Sequence, residues 1–314
     1  MVDRNSVWYR DDDESFLEIY DTVTGQRETV HFFDTLIEAP NWTPDGKALV
    51  YNSHGRIFRY DLHSGAIDEI DTGFVDNCNN DHVLSPDGTQ IAVSHGTFED
   101  GKSRIYTVPM TGGVPRLITP LAPSYLHGWS PDGKTLAYCA ERGGEYDIYT
   151  IPVLGGKEKR LTDAPGLNDG SEYDSAGEYI WFNSVRSGLM QAFRMKADGS
   201  EQTQMTFDSE WNTWFPHISP DRKLVSMICY RKGDVEPGEH VPHKNVQIRV
   251  MRSDGSDLHT VVELFGGQGT INVNSWSPDS RKFAFVSYRI VTIHGLKPNK
   301  QHLGIHGLRK VSKS

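Results

Sequence analysis

The sequence predicts an all-β protein, a six-bladed β-propeller, from three observations. A Pro-Asp-Gly-like turn recurs six times in the 314 residues, with its glycine or a replacement at positions 46, 88, 133, 177, 222 and 280. Each turn leads into an apolar strand and further strand-like segments. The two chain ends carry complementary halves of one unit. Four short antiparallel strands every 40–45 residues or so are typical of a propeller blade.

The repeating unit is clearest in GWSPDGKTLAYCA, which begins at Gly128. Proline presets φ for a type I turn, aspartate caps the turn, and glycine takes the left-handed position. Segments such as RIFRYDL and YDIYTIP predict the third strand of a blade, and PRLIT and EKRLT the fourth. Each unit therefore supplies four strands in chain order.

The chain ends predict how the ring closes. Ser15–Val30 resembles third and fourth strands without a first pair, and Arg281–Tyr288 a second strand with nothing after it. We expect N-terminal strands (about 15–30) to pair with C-terminal strands (about 272–288), which removes an exposed sheet edge. The predicted organisation is an N-terminal extension (1–14), one propeller (15–289) and a basic, mobile C-terminal tail (290–314).

The succession of the segments WSPDGKTLAY, DIYTIP and GGKEKRLT resembles the repeat of the TolB-like, WD-repeat-like propeller family. The same repeat forms the propellers of prolyl-oligopeptidase-type peptidases. The resemblance covers about residues 15–288 and implies the propeller fold. It implies little about function, because propellers serve binding, scaffolding and catalysis alike. The chain departs from TolB proper, which is secreted and carries an extra N-terminal domain. It also lacks the Gly-x-Ser-x-Gly elbow of a peptidase domain.

Composition argues against several classes of function. The formal net charge of −10 disfavours a nucleic-acid coat or an anionic membrane surface as partner. No apolar run is long enough for a transmembrane helix, and the N-terminus has no signal-like apolar region. Three widely spaced cysteines support neither a disulfide framework nor a cysteine zinc site. We therefore expect a cytoplasmic protein.

Polar residues recur at the entry to each innermost strand, five or six residues before the turn position. Because innermost strands line the central channel, we expect these side chains to converge near its mouth, as a ligand or metal pocket. The alternative is that they only satisfy backbone groups. The set is Asn41, His82, His127, Ser171 with Glu172, His217 and Asn274.

A second register, nine residues after the turn position, holds arginines in blades 3 to 6. These guanidiniums could clamp carboxylates or phosphates, or they could bond the neighbouring blade. The residues are Arg142, Arg186, Arg231 and Arg289.

Other segments are expected to reach the same face. Trp214, before His217, could stack on a sugar ring or plug the space between blades. Asp76–His82 contains the candidate ligand residue Asn80, and the glycine-rich Phe265–Asn274 contains Gln268, Asn272 and Asn274.

The fifteen-residue stretch Arg231–Asn245 joins the second and third strands of blade 5. Long loops inside compact domains are usually functional or disordered. It is interpreted as a lid or side wall that brings His240 or His243 towards the channel mouth, against the alternative of a solvated acidic excursion.

Three functions stay open. The first is binding of a carbohydrate or other anionic small molecule in the polar pocket. The second is a metal-dependent lyase on uronate oligosaccharides, from a loose resemblance to oligogalacturonate lyases. That resemblance implies a divalent metal (Mn, Ca or Zn), with candidate ligands His82, His127, His217, His240 and His243, and candidate catalytic residues His217, Arg231 and His243. The third is a platform for a protein partner.

Overall fold

The computed structural model describes residues 13–291, which form 23 β-strands and no helix. The strands make five four-stranded sheets and one three-stranded sheet. Each sheet is one blade, and the predicted six-bladed propeller is confirmed.

The first three complete blades follow the chain in order. Blade 1 contains β3 (Glu38–Trp42), β4 (Ala48–Ser53), β5 (Arg56–Asp61) and β6 (Ile67–Ile70). Blade 2 contains β7 (Cys78–Leu84), β8 (Gln90–Gly96), β9 (Ser103–Pro109) and β10 (Arg116–Leu117). Blade 3 contains β11 (Ser124–Trp129), β12 (Thr135–Arg142), β13 (Glu145–Pro152) and β14 (Lys159–Arg160).

The remaining blades complete the ring. Blade 4 contains β15 (Asn168–Tyr173), β16 (Tyr179–Ser187), β17 (Leu189–Lys196) and β18 (Thr203–Gln204). Blade 5 contains β19 (Trp211–Ile218), β20 (Leu224–Arg231), β21 (Lys244–Arg252) and β22 (His259–Gly266). Blade 6 joins β23 (Lys282–Ile290) to β1 (Asp13–Asp21) and β2 (Arg27–Phe33).

Closure occurs through the predicted pairing of the two chain ends. β1 runs antiparallel to β23, with Asp13 opposite Ile290 and Asp21 opposite Lys282. Among the described residues, the innermost segment of blade 6 forms no regular strand. It meets β23 through the isolated bridge between Trp276 and Phe283 and through bonds from the Ala284 and Val286 N–H groups to the Ser275 and Thr270 carbonyls. Asparagine side chains in that segment bond nearby backbone N–H groups, such as Asn274 Oδ1 accepting from the Trp276 N–H at 3.0 Å, and so compete with a regular ladder.

The six turns adopt the conformation that the repeat predicts. All six turn positions have φ between 62° and 74°, including Arg222 and Ser280, which replace glycine. In blade 3 the Ser130 hydroxyl donates to Asp132 at 2.6 Å, which stabilises the turn locally. The turns form one face of the propeller, here called the turn face.

Every innermost strand of blades 1 to 5 carries a β-bulge, a shift in pairing register. The shifts fall at Glu38/Asn41, Cys78/His82, Leu126/Gly128, Asp169/Glu172 and Trp214/His217. A bulge changes the direction in which the following side chains point. These bulges lie at the mouth of the channel opposite the turn face, and they position the candidate site.

The second strand of each blade forms the apolar core. β4 is buried along its whole length, and large side chains such as Tyr138 and Phe182 are fully enclosed between blades. Within residues 13–291, no helix has the length and apolar character needed to cross a membrane.

Candidate functional site

Five of the predicted channel-mouth residues meet in a hydrogen-bonded axial ring, formed by Asn41, His82, Glu172, His217 and Asn274. Asn41 Oδ1 lies 2.7 Å from His82 Nδ1, and Asn41 Nδ2 donates to the Asn274 carbonyl at 2.6 Å. Asn274 Nδ2 donates to Glu172 Oε1 at 2.5 Å, and Glu172 Oε2 lies 2.6 Å from His217 Nδ1. The ring thus connects blades 1, 2, 4, 5 and 6.

Most polar groups of the axial ring bond other members of the ring, whereas His82 Nε2 is buried without a partner among the described residues. A ligand-binding role for these residues stays a prediction. His217 uses its second ring nitrogen as well, at 3.1 Å from the Ile271 carbonyl, which leaves no free atom for catalysis or for a metal. Burial lowers the pKa of His82 to about 3, so this imidazole is neutral. The ring holds blades together, as the alternative interpretation of these residues predicts.

A cavity of about 600 Å³ lies beside the ring, at the mouth of blades 2 to 4, and is here called the mouth cavity. Its volume lies within the range of small-molecule sites. It is lined by Asn79, Asp81, Tyr125, His127, Cys139, Tyr146, Leu167, Asp169, Gly238, His240 and Gln268.

His127 is not part of the axial ring and instead pairs with Asp169 in the mouth cavity. Its Nε2 lies 2.9 Å from Asp169 Oδ1, and both side chains are almost completely buried. Burial lowers the pKa of His127, but the carboxylates of Asp169 and Asp81 more than offset this and raise it to about 9. Burial disfavours the charge of Asp169 too, yet the imidazolium holds the pKa of that carboxyl below its ordinary value. Nδ1 of His127 is buried without a hydrogen bond of normal geometry in the described residues.

Asp81 is the second carboxylate of the cavity. It lies in the bulge of β7, where Asn79 Nδ2 donates to its Oδ2 at 2.6 Å. Burial raises the pKa of Asp81 to about 6, which the His127 cation opposes and the Asp169 carboxylate reinforces. Near neutral pH the cavity therefore holds two carboxylates and one imidazolium.

The long connection of blade 5 covers this cavity and is here called the blade-5 loop (residues 232–243). His240 packs on Trp214 with ring centroids 4.2 Å apart. The Val241 carbonyl accepts from the Tyr230 hydroxyl and from the Gln268 N–H, each at 3.1 Å. Burial lowers the pKa of His240 to about 4, so it is neutral at physiological pH.

His243 anchors the end of the blade-5 loop outside the cavity. Its Nε2 lies 3.0 Å from both oxygens of Asp13 on β1, so the loop connects blade 5 to blade 6. This contact assigns His243 an anchoring role in place of the predicted catalytic or metal-binding one.

Gln268 lines the cavity and is held from behind by a hydrogen-bonded chain of side chains. Glu38 accepts from Asn52 and Asn80, and Asn80 Oδ1 accepts from Gln268 Nε2 at 3.0 Å. Burial raises the pKa of Glu38 to about 7, against the lowering effect of the two amides. Of the predicted ligand residues, Gln268 lines the cavity and Asn80 holds it from behind.

The five histidines proposed as metal ligands do not form a metal site. His82 and His217 belong to the axial ring, His243 to the loop anchor, and only His127 and His240 line the cavity. Residues 13–291 contain no group of three or more His, Cys, Asp or Glu side chains that could hold a metal ion. The donor set therefore does not fit a divalent metal.

Three of the four guanidiniums in the arginine register bond within their own blades. Arg142 makes two bonds of 2.8 Å to Glu158, and Arg186 donates to Asn168 and Gln202. Arg289 pairs with Glu14 at 2.5 Å, while Arg231 ends β20 as an exposed residue. Arg142, Arg186 and Arg289 therefore have structural partners, and a role for these arginines in ligand binding or catalysis stays a prediction.

Trp214 and Asn272 also have structural positions. Trp214 is fully buried and packs against His240, so its face is not available to a sugar ring. Asn272 Oδ1 accepts from the Gly269 N–H at 2.7 Å and shapes the connector that carries Gln268.

Sequence reasoning missed the residues that distinguish the cavity: Asp81, Asp169, Tyr125 and Tyr146. Asp81 directly precedes the predicted His82, and Asp169 lies three residues before Glu172. A bulge in each innermost strand turns these neighbours away from the axis. The signal available in the sequence was the pair of acids beside the predicted positions.

A groove of similar size, about 610 Å³, lies on the turn face between blades 2 and 3. Its walls include Pro86, Asp87, Trp129, Pro131 and the highly exposed Val114. Its aspartates belong to the repeated turns, which occur in all blades, so the groove lacks the blade-specific polar cluster of the mouth cavity.

Fold and site together define a six-bladed propeller with a covered polar cavity at one end of its channel. Residues 121–240 match the family model described as the TolB beta propeller domain. An uncharacterized protein of Agrobacterium fabrum is 46% identical over 275 residues, which is 87% of this chain and 92% of that protein. The chain belongs to the TolB-like β-propeller family.

Solved structures agree with this assignment. A structure from Agrobacterium tumefaciens described as TolB is 45% identical, with a TM-score of 0.85, and the match covers 89% of this chain and 99% of that one. An oligogalacturonate lyase in complex with manganese is 11% identical with a TM-score of 0.51, covering 80% of this chain and 67% of that one. The lyase likeness therefore extends to the fold alone.

Proposed function

We propose that this propeller binds a small hydroxyl-rich molecule, of the carbohydrate class, in the mouth cavity. The observation that carries the proposal is the convergence of Asp81, His127, Asp169 and Gln268 in one cavity covered by the blade-5 loop. Small-molecule sites combine an enclosing wall with a few polar groups that fix the ligand orientation.

The chemistry of the lining supports a ligand with several hydroxyl groups. Carboxylate and amide oxygens accept hydrogen bonds from hydroxyls, and Asp81, Asp169 and Gln268 supply such oxygens in the lining. Tyr125 and Tyr146 add aromatic surface with a polar end, which suits the mixed faces of a sugar.

The lining argues against the anionic ligand expected from the sequence. The lining residues within the described chain include no lysine or arginine, and the carboxylates of Asp81 and Asp169 would repel a uronate. The lyase alternative depends on a metal whose ligands do not meet here. A protein platform has no particular patch in its favour, so binding in the mouth cavity has the strongest support.

Calorimetric titration of the full chain with neutral, acidic and amino monosaccharides and disaccharides tests the proposal. We expect at least one neutral or amino sugar to bind, and we expect Tyr146→Ala to weaken that binding. Val114→Ser, in the turn-face groove, is the control that should leave it unchanged. If no sugar of any class binds at millimolar concentration, the proposed function is wrong.

A further inference from the structure

The mouth cavity has an excess of hydrogen-bond acceptors. Asp81 Oδ2 accepts from Asn79, while Asp81 Oδ1 has no partner among residues 13–291. Gln268 Oε1 is buried and likewise lacks a donor within this part of the chain. An unpaired buried acceptor such as Gln268 Oε1 is costly. A group that donates to this oxygen and to Asp81 Oδ1 would therefore be bound favourably.

The orientation of Gln268 follows from the residues behind it. Both oxygens of Glu38 accept, Oε2 from Asn52 at 3.0 Å and Oε1 from Asn80 at 3.2 Å. Asn80 therefore presents its oxygen to Gln268 Nε2, and Gln268 must present Oε1 on its other side. The amide chain thus fixes an acceptor in the cavity wall.

The charges of the cavity also favour a cation. Asp169 is balanced by His127, with which it shares a contact of 2.9 Å. Asp81 shares this same cation, because His127 opposes the rise in the pKa of Asp81 while the Asp169 carboxylate reinforces it. His240 does not compensate, because its burial keeps it neutral. Two carboxylates thus share one imidazolium, and the cavity keeps an excess of negative charge.

We infer that the ligand of the mouth cavity carries a protonated amine, held by Asp81 Oδ1 and Gln268 Oε1, as in an amino sugar. The inference rests on the proposed function and specifies its ligand class. An ammonium group is a donor-only cation, which matches two acceptor oxygens in a cavity with an excess of negative charge. The remaining hydroxyls of an amino sugar would meet His127 and the tyrosines.

The test compares ligands that differ only at the amine. Glucosamine, galactosamine and mannosamine are titrated into the full chain at pH 7, against their N-acetyl derivatives and the parent sugars. Hydrogen bonds to charged groups are worth enough that we expect the best free amine to bind about tenfold or more tighter than its uncharged counterparts. Asp81→Asn should remove that preference, whereas Asp34→Asn, an exposed aspartate, should keep it.

The outcomes separate the two proposals. Equal or tighter binding of the N-acetyl or parent sugars would overturn the amine inference and leave sugar binding intact. Binding of none of these sugars would overturn the amine inference, and the wider panel of sugars given above would then decide the proposed function. The comparison of ligands on the unmodified chain decides the question even if Asp81→Asn does not fold.

Discussion

The ion pair between His127 and Asp169 predicts a measurable link between stability and pH. The ordinary pKa of histidine is 6.5, and in the folded chain that of His127 is raised to about 9. A group whose pKa rises on folding stabilises the protein most below its unfolded pKa, and this contribution is lost as the pH rises through the folded value. Here the loss falls between about pH 6.5 and pH 9.

The magnitude follows from the two pKa values. One pKa unit corresponds to about 1.4 kcal/mol, so the shift contributes about 3 kcal/mol below pH 6.5 and about 2–3 kcal/mol at pH 7. Asp169→Asn removes the carboxylate and lets buried His127 lose its proton. We therefore expect the variant to be less stable by about 2–3 kcal/mol at pH 7, with little difference from the unmodified chain above about pH 9.5.

Urea unfolding followed by tryptophan fluorescence at pH 6, 7, 8 and 9.5 measures this difference. Asp81 and Glu38, with pKa values of about 6 and 7, titrate in the lower part of this range, so the change in the difference between pH 8 and pH 9.5 reports the His127 contribution. Asp34→Asn, in an exposed position, should stay within about 0.5 kcal/mol. An Asp169→Asn variant of unchanged stability at pH 7, or a difference that persists at pH 9.5, would refute the reasoning.

Three further predictions concern the ring, the loop and the thiols. Glu172→Leu should destabilise the fold by about 3 kcal/mol or more, because it leaves the buried His217 and its neighbours unpaired, and urea unfolding will measure the loss. Gly267→Ala should displace the blade-5 loop and increase its proteolysis, because a Cβ at this position would overlap the Val241 carbonyl oxygen. The matched control is Gly188→Ala, which is also at positive φ but has open space around it. The three cysteines should not react with a thiol reagent until the chain unfolds, because all are buried and burial raises their pKa values. Rapid labelling of the native protein would contradict this.

The fold could be predicted from the sequence because its signals are local and repeated. The left-handed turn position needs glycine or a tolerant replacement, so the turn marks each blade even where Arg222 or Ser280 stands there. Closure could be predicted because the unpaired strands at the two ends have complementary positions in a blade. Neither inference needed the direction of a particular side chain.

The site was harder to predict because adjacent residues of a strand point to opposite faces. Counting back from the turn correctly identified His82 and Glu172 as axial, but both bond other members of the axial ring. The cavity is lined instead by Asp81 and Asp169, which precede these two residues by one and three positions. A β-bulge lies in each of these strands, and the size of a bulge cannot be read from the sequence. The partners of the arginines could not be predicted for another reason. Glu158, the partner of Arg142, lies sixteen residues away on a connection whose path the repeat does not determine.

The irregular innermost segment of blade 6 also shapes the cavity, because it determines where Gln268 lies. Asn272 and Asn274 bond backbone groups of their own segment, so residues 267–274 do not form an innermost strand. A regular strand would direct its side chains alternately to the channel and to the next strand. The irregular connector instead carries Gln268 sideways to Asn80 of blade 2, 188 positions away in sequence. The departure from the repeat in the closing blade thus supplies the acceptor on which the proposed recognition of an amine depends.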